Sequence, residues 1–82
     1  MHEKIDQPIQ VVASFADRKV MPHSFVWGRR RYMVKTVNLV HTDGSGATVL
    51  FHFSVSDEAN TFKLCFNPRD LTWRLEEVYA DG

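Results

Sequence analysis

Two groups of residues in this chain have the types and spacing for chemistry. Arg29, Arg30 and Arg31 are consecutive, and with Arg18, Lys19 and Lys35 they make six basic residues with no acid between positions 18 and 35. Basic runs follow phosphates, and rings such as Trp27 and Tyr32 stack on bases; small barrels hold single strands by that combination. The competing reading is a solvated turn whose partners lie in the acidic end of the chain, Asp70 to Gly82, with four acids and one Arg. The second group is His52 and Cys65. A nitrogen and a sulfur donor invite zinc, with His41 as the obvious third ligand. A structural zinc needs four ligands, and neither a CxxC nor an HxxxH spacing is present, so no metal and no cofactor are expected.

Enzymatic readings of the same residues lack parts. A Cys–His nucleophile pair needs an orienting group and an oxyanion hole, and a strand face in a small domain supplies neither. Asp57-Glu58, Asp70 and Glu76-Glu77 fall at turns and an edge, whereas paired-carboxylate hydrolysis needs a cleft. His41 to Ala47, HTDGSGA, has no Gly-Lys-Ser/Thr step and is no phosphate loop. No enzyme is expected.

The elements that position these residues are strands. From Thr48 to Asn67, Val49, Phe51, Phe53 and Val55 alternate before Asp57-Glu58-Ala59-Asn60, and Phe62, Leu64 and Phe66 alternate after it. Period-two alternation on both sides of a polar turn cluster predicts a β-hairpin. With the loop at 57–60, Ser56 faces Thr61, and the register pairs Val55 with Phe62, Phe53 with Leu64 and Phe51 with Phe66 on one face. The other face pairs Ser54 with Lys63 and His52 with Cys65. A slip of one residue would turn the apolar row to water, so the register is fixed.

Around this hairpin, Ile9 to Phe15 reads as a first strand. Asp17-Arg18-Lys19 reads as a turn or loop that runs through Met21-Pro22, because Pro disfavours a central strand. Ser24 to Trp27 reads as a second strand, and Gly28-Arg29 as a two-residue type II′ turn. That turn pairs Trp27 with Arg30, a cation–π contact, and Phe25 with Tyr32. A third strand spans Arg30 to about Val40. Its apolar phase changes between Val34 and Val37, which predicts a bulge or a curled sheet. HTDGSGA is a turn. The last strand, Thr72 to Tyr79, pairs Phe66 with Trp73 and Leu64 with Leu75 across a loop at 68–71. Val78 is out of phase with Leu75, so a bulge near Glu76-Glu77, or an ending edge strand, is expected.

The positions Pro22, Phe25, Trp27, Arg30, Tyr32 and Val34, then Phe53 and Val55, then Leu64, then Trp73, Leu75 and Tyr79, resemble a family of small bacterial β-domains of unknown function. A similar domain closes the C-terminus of inactive Y-family polymerase-like proteins of mutagenic DNA repair. The resemblance spans roughly residues 9–80. It implies a compact β-domain and a setting linked to DNA, and it brings no catalytic residues.

The expected architecture is all-β: a flexible segment over residues 1–8, then one domain over 9–80 of about six antiparallel strands in a meander, curled into an SH3-like or partly open barrel, with a flat single sheet needing a partner molecule as the alternative. A length of 82 residues leaves no room for a second core. One Cys suits a reducing compartment. No apolar run is long enough to span a membrane, and the polar N-terminus lacks the apolar core of a signal peptide, so a cytoplasmic protein is expected. The expected function is a non-enzymatic binding or interaction module, acting through a protein partner or self-association. The alternative is a nucleic-acid-binding barrel using the Arg29–Arg31 turn with Trp27 and Tyr32, linked to DNA repair.

Overall fold

The computed structural model describes residues 1–45 and 48–80. It is all-β: β1 (His2–Ala16), β2 (Lys19–Trp27), β3 (Arg30–Met33), β4 (Thr36–Ser45), β5 (Thr48–Ser56), β6 (Asn60–Asn67) and β7 (Thr72–Ala80). They form one antiparallel sheet in the order β3-β2-β1-β7-β6-β5-β4, curled into a half-barrel. Two strands of this sheet are edges, β3 and β4, and they are consecutive in the chain. Val34 and Lys35 join them. The Val34 amide donates to the His23 carbonyl at 2.9 Å and the Lys35 amide to the Ser56 carbonyl at 2.9 Å, so two neighbouring residues stitch the two margins of the sheet. The single third strand expected over Arg30–Val40 is therefore two strands that turn a corner.

The central hairpin has the predicted register. Val55 pairs with Phe62, Phe53 with Leu64, Phe51 with Phe66, and His52 with Cys65. Asp57 shapes its turn by accepting from the Ala59 and Asn60 amides at 2.8 and 2.7 Å, an Asx turn. Phe53, Val55, Phe62, Leu64, Phe66, Trp73 and Leu75 are buried on the inner face with Phe25. Val49, expected on the same wall, is left 38% exposed at its end. Phe66 and Trp73 pack with ring centroids 4.7 Å apart, and Phe25 meets Phe62 edge-on at 5.0 Å. The β2–β3 turn also has the predicted register, with Phe25 stacked on Tyr32 at 5.2 Å. Gly28 alone carries positive φ there, +65°, as a type II′ turn requires. Arg30 and Trp27 face each other, but the guanidinium lies over Tyr32, 5.2 Å from the ring centroid. Trp27 instead donates its indole N–H to Gln7.

Several boundaries differ from expectation. Residues 2–9, whose first seven were expected to be flexible, form half of β1 and pair with β7, from His2 opposite Tyr79 to Ile9 opposite Trp73. The second half of β1 pairs with β2. The loop expected through Pro22 is a two-residue turn. Asp17 and Arg18 both have positive φ, 53° and 62°, which is the type I′ pattern. Pro22 lies within β2, beside a register shift that leaves His23 unpaired with β1. A bulge tolerates the missing N–H there. β4 continues through much of the expected Gly-rich turn, and Gly46 and Ala47 lie outside the described residues.

The bulges decide which side chains share a face. In β4, Asn38 is the extra residue between Val37 opposite Val55 and Leu39 opposite Ser54. Val37 packs on the core while Leu39 stands 59% exposed on the outer face. In β7, Glu76 is the extra residue between Leu75 opposite Leu64 and Glu77 opposite Lys63.

Leu64 is fully buried between Phe53 and Leu75. Leu64→Ala is expected to cost about 2–5 kcal/mol of unfolding free energy. Chemical denaturation checks this: the midpoint falls while the slope stays unchanged.

Candidate metal centre on the outer face

The outer face of β5, β6 and β7 carries the hairpin's polar row. His52 on β5 and Cys65 on β6 are cross-strand neighbours because both fall in the phase opposite the buried Phe53 and Leu64. Ordinary alternation after Leu75 also turns Glu76 outward, and the bulge then keeps Glu77 outward too, opposite Lys63. Two consecutive glutamates thus reach the His52–Cys65 side of the sheet. A bulge commonly re-aims a side chain in this way.

The donor atoms of His52, Cys65 and Glu76 lie within 4.8 Å of one another. Glu76 Oε1 is 3.2 Å from His52 Nδ1. Asp43 Oδ2, reaching from β4, is 3.8 Å from His52 Nε2. Nε2 itself is buried and has no hydrogen-bond partner among the described residues. His41 faces His52 across the β4–β5 pair and stacks on its ring, with centroids 4.9 Å apart. The stack holds the His52 ring in place. Arg74, opposite Cys65, is engaged by Asp6, which takes its Nε–H at 3.0 Å and, through the backbone carbonyl, its Nη2–H at 2.6 Å. Burial raises the Cys65 thiol above its ordinary pKa; the Glu76 charge adds to this, Arg74 opposes it, and Asp43 adds a little more. The cluster borders a shallow outer depression of about 220 Å³ that Leu39, Lys63 and Glu77 also line.

The sequence singled out His52, Cys65 and His41. It gave no sign of Glu76 or Asp43 as companions. Glu76 arrives by the β7 strand and Asp43 by the extension of β4 through residues read as a turn.

The basic residues fall into two groups. Arg18 and Lys19 form the β1–β2 turn, while Arg29, Arg30 and Arg31 lie at the opposite end of β2, roughly 25 Å away along the strand. Arg31 donates to Ser24 Oγ at 2.9 Å. Lys35 is bridged to Glu58. Asp57 and Glu58 share a depression with Arg30, Arg31 and Lys35, so acids stand inside the basic patch.

No protein-family model, no curated protein and no solved structure matches the chain. Among the described residues, no helix is long and apolar enough to cross a membrane.

Glu77 ties the ends of β1 and β7 together. It accepts from Tyr79 at 3.2 Å and lies 2.5 Å from His2 Nε2, while the His2 ring stacks on Tyr79 at 4.4 Å. The His2 hydrogen bond foremost, then the Tyr79 hydroxyl and nearby Lys63, lower the Glu77 pKa. A carboxylate whose folded pKa is depressed stabilises the fold above its unfolded pKa, and that contribution is lost as pH falls through the folded value. Glu77→Gln is therefore expected to be less stable than the parent at neutral pH, with the gap closing in acid. Urea melts across that range check the sign.

Proposed function

We propose that this chain is a non-enzymatic, cytoplasmic interaction module that works by self-association. The observation that carries the reading is an uncharged apolar depression at the β6–β7 end of the half-barrel, about 460 Å³ in volume. Ile9, Val11, Phe66 and Trp73 line it, and Phe15 and Leu71 stand on its rim. Phe15 continues the inward phase of β1 past the end of the core, where it leans on Phe66 yet remains 62% exposed. Leu71 is 73% exposed and has φ of +61°. A side chain in that region costs about 1–2 kcal/mol relative to ordinary backbone, so a large apolar residue is held there against local preference without burial in return. The left-handed φ belongs to the β6–β7 loop, where the Leu71 amide donates to the Asn67 carbonyl at 2.9 Å.

A second copy of the chain is the occupant this surface fits. The patch carries both protruding side chains and the hollow beside them, which is the self-complementarity a two-fold interface requires. No charged residue lines the hollow itself. Aromatic anchors in such a pocket dominate interface energies.

Light scattering over a concentration series tests the proposal. The mass should rise with concentration, and Phe15→Ser and Leu71→Gly should each raise the association midpoint at least ~10-fold. Leu71→Gly should meanwhile stabilise the isolated fold by about 0.5–1 kcal/mol, because Gly adopts positive φ freely but loses more chain entropy on folding. That opposite movement separates an interface residue from a structural one. A monomer mass at every concentration overturns the reading, as does assembly that ignores both variants but is abolished by Leu39→Lys on the β4 edge. Steeply salt-dependent binding of single-stranded DNA, flattened by Arg30→Ala and Arg31→Ala, would move the function to the β2–β3 turn and overturn it too.

A further inference from the structure

The geometry points to a divalent zinc site on the outer face, held by His52 Nδ1, Cys65 Sγ and a Glu76 carboxylate oxygen, and independent of the self-association surface. Zn²⁺ takes just such nitrogen, sulfur and oxygen donors, at about 2.0–2.3 Å. Tetrahedral geometry with those bond lengths spaces the donor atoms roughly 3.2–3.8 Å apart. The donors here lie within 4.8 Å of one another, and His52 Nδ1 and Glu76 Oε1 are already 3.2 Å apart. Binding closes the remaining gap through the Cys65 and Glu76 side chains, whose strands are already neighbours of one another.

Three further features fit an ion better than a plain polar cluster. The first is charge. A thiolate and a carboxylate beside a neutral imidazole balance Zn²⁺, and the thiol proton leaves to solvent on binding. The second is the orientation of His52. With Nδ1 on the ion, the opposite nitrogen carries the proton and needs an acceptor. Nε2 is the buried atom without a partner, and the Asp43 carboxylate is 3.8 Å from it. Carboxylate–histidine–metal relays of this form fix the tautomer of zinc ligands. The third is Arg74, the cation nearest in register to Cys65, whose guanidinium is engaged by Asp6 through two hydrogen bonds. Lys63 faces Glu77 instead and lies over the Tyr79 ring, its ammonium 5.6 Å from the ring centroid. Three protein ligands leave a fourth position for water.

The donor set also argues the metal class. A thiolate disfavours Mg²⁺ and Ca²⁺, which take oxygen, and a single carboxylate with imidazole suits a borderline ion.

Titration of the tag-free full chain with Co²⁺ tests the site. The expected result is one equivalent bound, with a thiolate-to-cobalt charge-transfer band and the intense visible bands of a tetrahedral ion, both displaced by one equivalent of Zn²⁺. Cys65→Ser should abolish the charge-transfer band. Glu76→Gln, a change on the outer face that leaves the core intact, should weaken Zn²⁺ at least ~10-fold in competition with a chromophoric chelator. No thiolate band in the parent, or a Glu76→Gln protein that titrates like the parent, overturns the site.

Discussion

One small apolar volume, centred on Phe53 and Leu64, constrains every strand of this protein. Each of these residues is held by a cross-strand partner on its own sheet face, and β2, β6 and β7 all contribute buried residues to the same space. A flat sheet of seven strands would leave much of that row exposed. Curling the sheet lets Phe25 from β2 reach Phe62 on β6, although β1 and β7 lie between those strands in the hydrogen-bonded order. The curl, the corner at Val34-Lys35 and the sharing of β1 between two neighbours all follow from the need to bring these side chains together.

Bulges are how the chain reconciles that demand with its sequence. A strand that alternates perfectly presents one face to the core along its whole length. Asn38 in β4, His23 in β2 and Glu76 in β7 each insert one residue and so change the phase of the strand beyond it. On the inner face the result is continued packing, as Val78 returns to lie opposite Phe62. On the outer face the same irregularity concentrates polar groups. Glu77 joins Glu76 on the side of His52 and Cys65 because the inner face needed a correction in register. The chemistry of the outer surface is in this sense a by-product of packing on the other side.

The features legible in the sequence were those that local rules govern. The β5–β6, β6–β7 and β2–β3 registers could be read because alternation and turn residues agree on them, and the β7 bulge because Leu75 and Val78 cannot otherwise both face inward. The first half of β1 was not legible. His2 to Pro8 is mostly polar, and its strand conformation is imposed by β7, which lies at the far end of the sequence. Asp17-Arg18 hid a type I′ turn because neither residue is Gly, and Pro22 suggested a break where a bulge absorbs it. For the outer-face cluster, the His52–Cys65 pair came directly from the hairpin register. Glu76 and Asp43 required knowing how β7 and β4 lie beside that hairpin. Of the basic stretch, Arg18 and Lys19 separate from the rest because they lie at the other end of β2, whereas Arg30, Arg31 and Lys35 stay together beside Tyr32.

The pairing of β1 with β7 has an entropic meaning. Every other neighbouring pair in the sheet is consecutive in the chain, and so closes over a short loop. The β1–β7 seam instead joins His2 to Tyr79, and the Met1 and Ala80 backbones exchange a hydrogen bond of 2.7 Å. Closing so long a loop costs entropy before any contact repays it. Two hairpin blocks, β1–β3 and β4–β7, are each built from local pairings, and the entropy cost of uniting them falls on this one distant join.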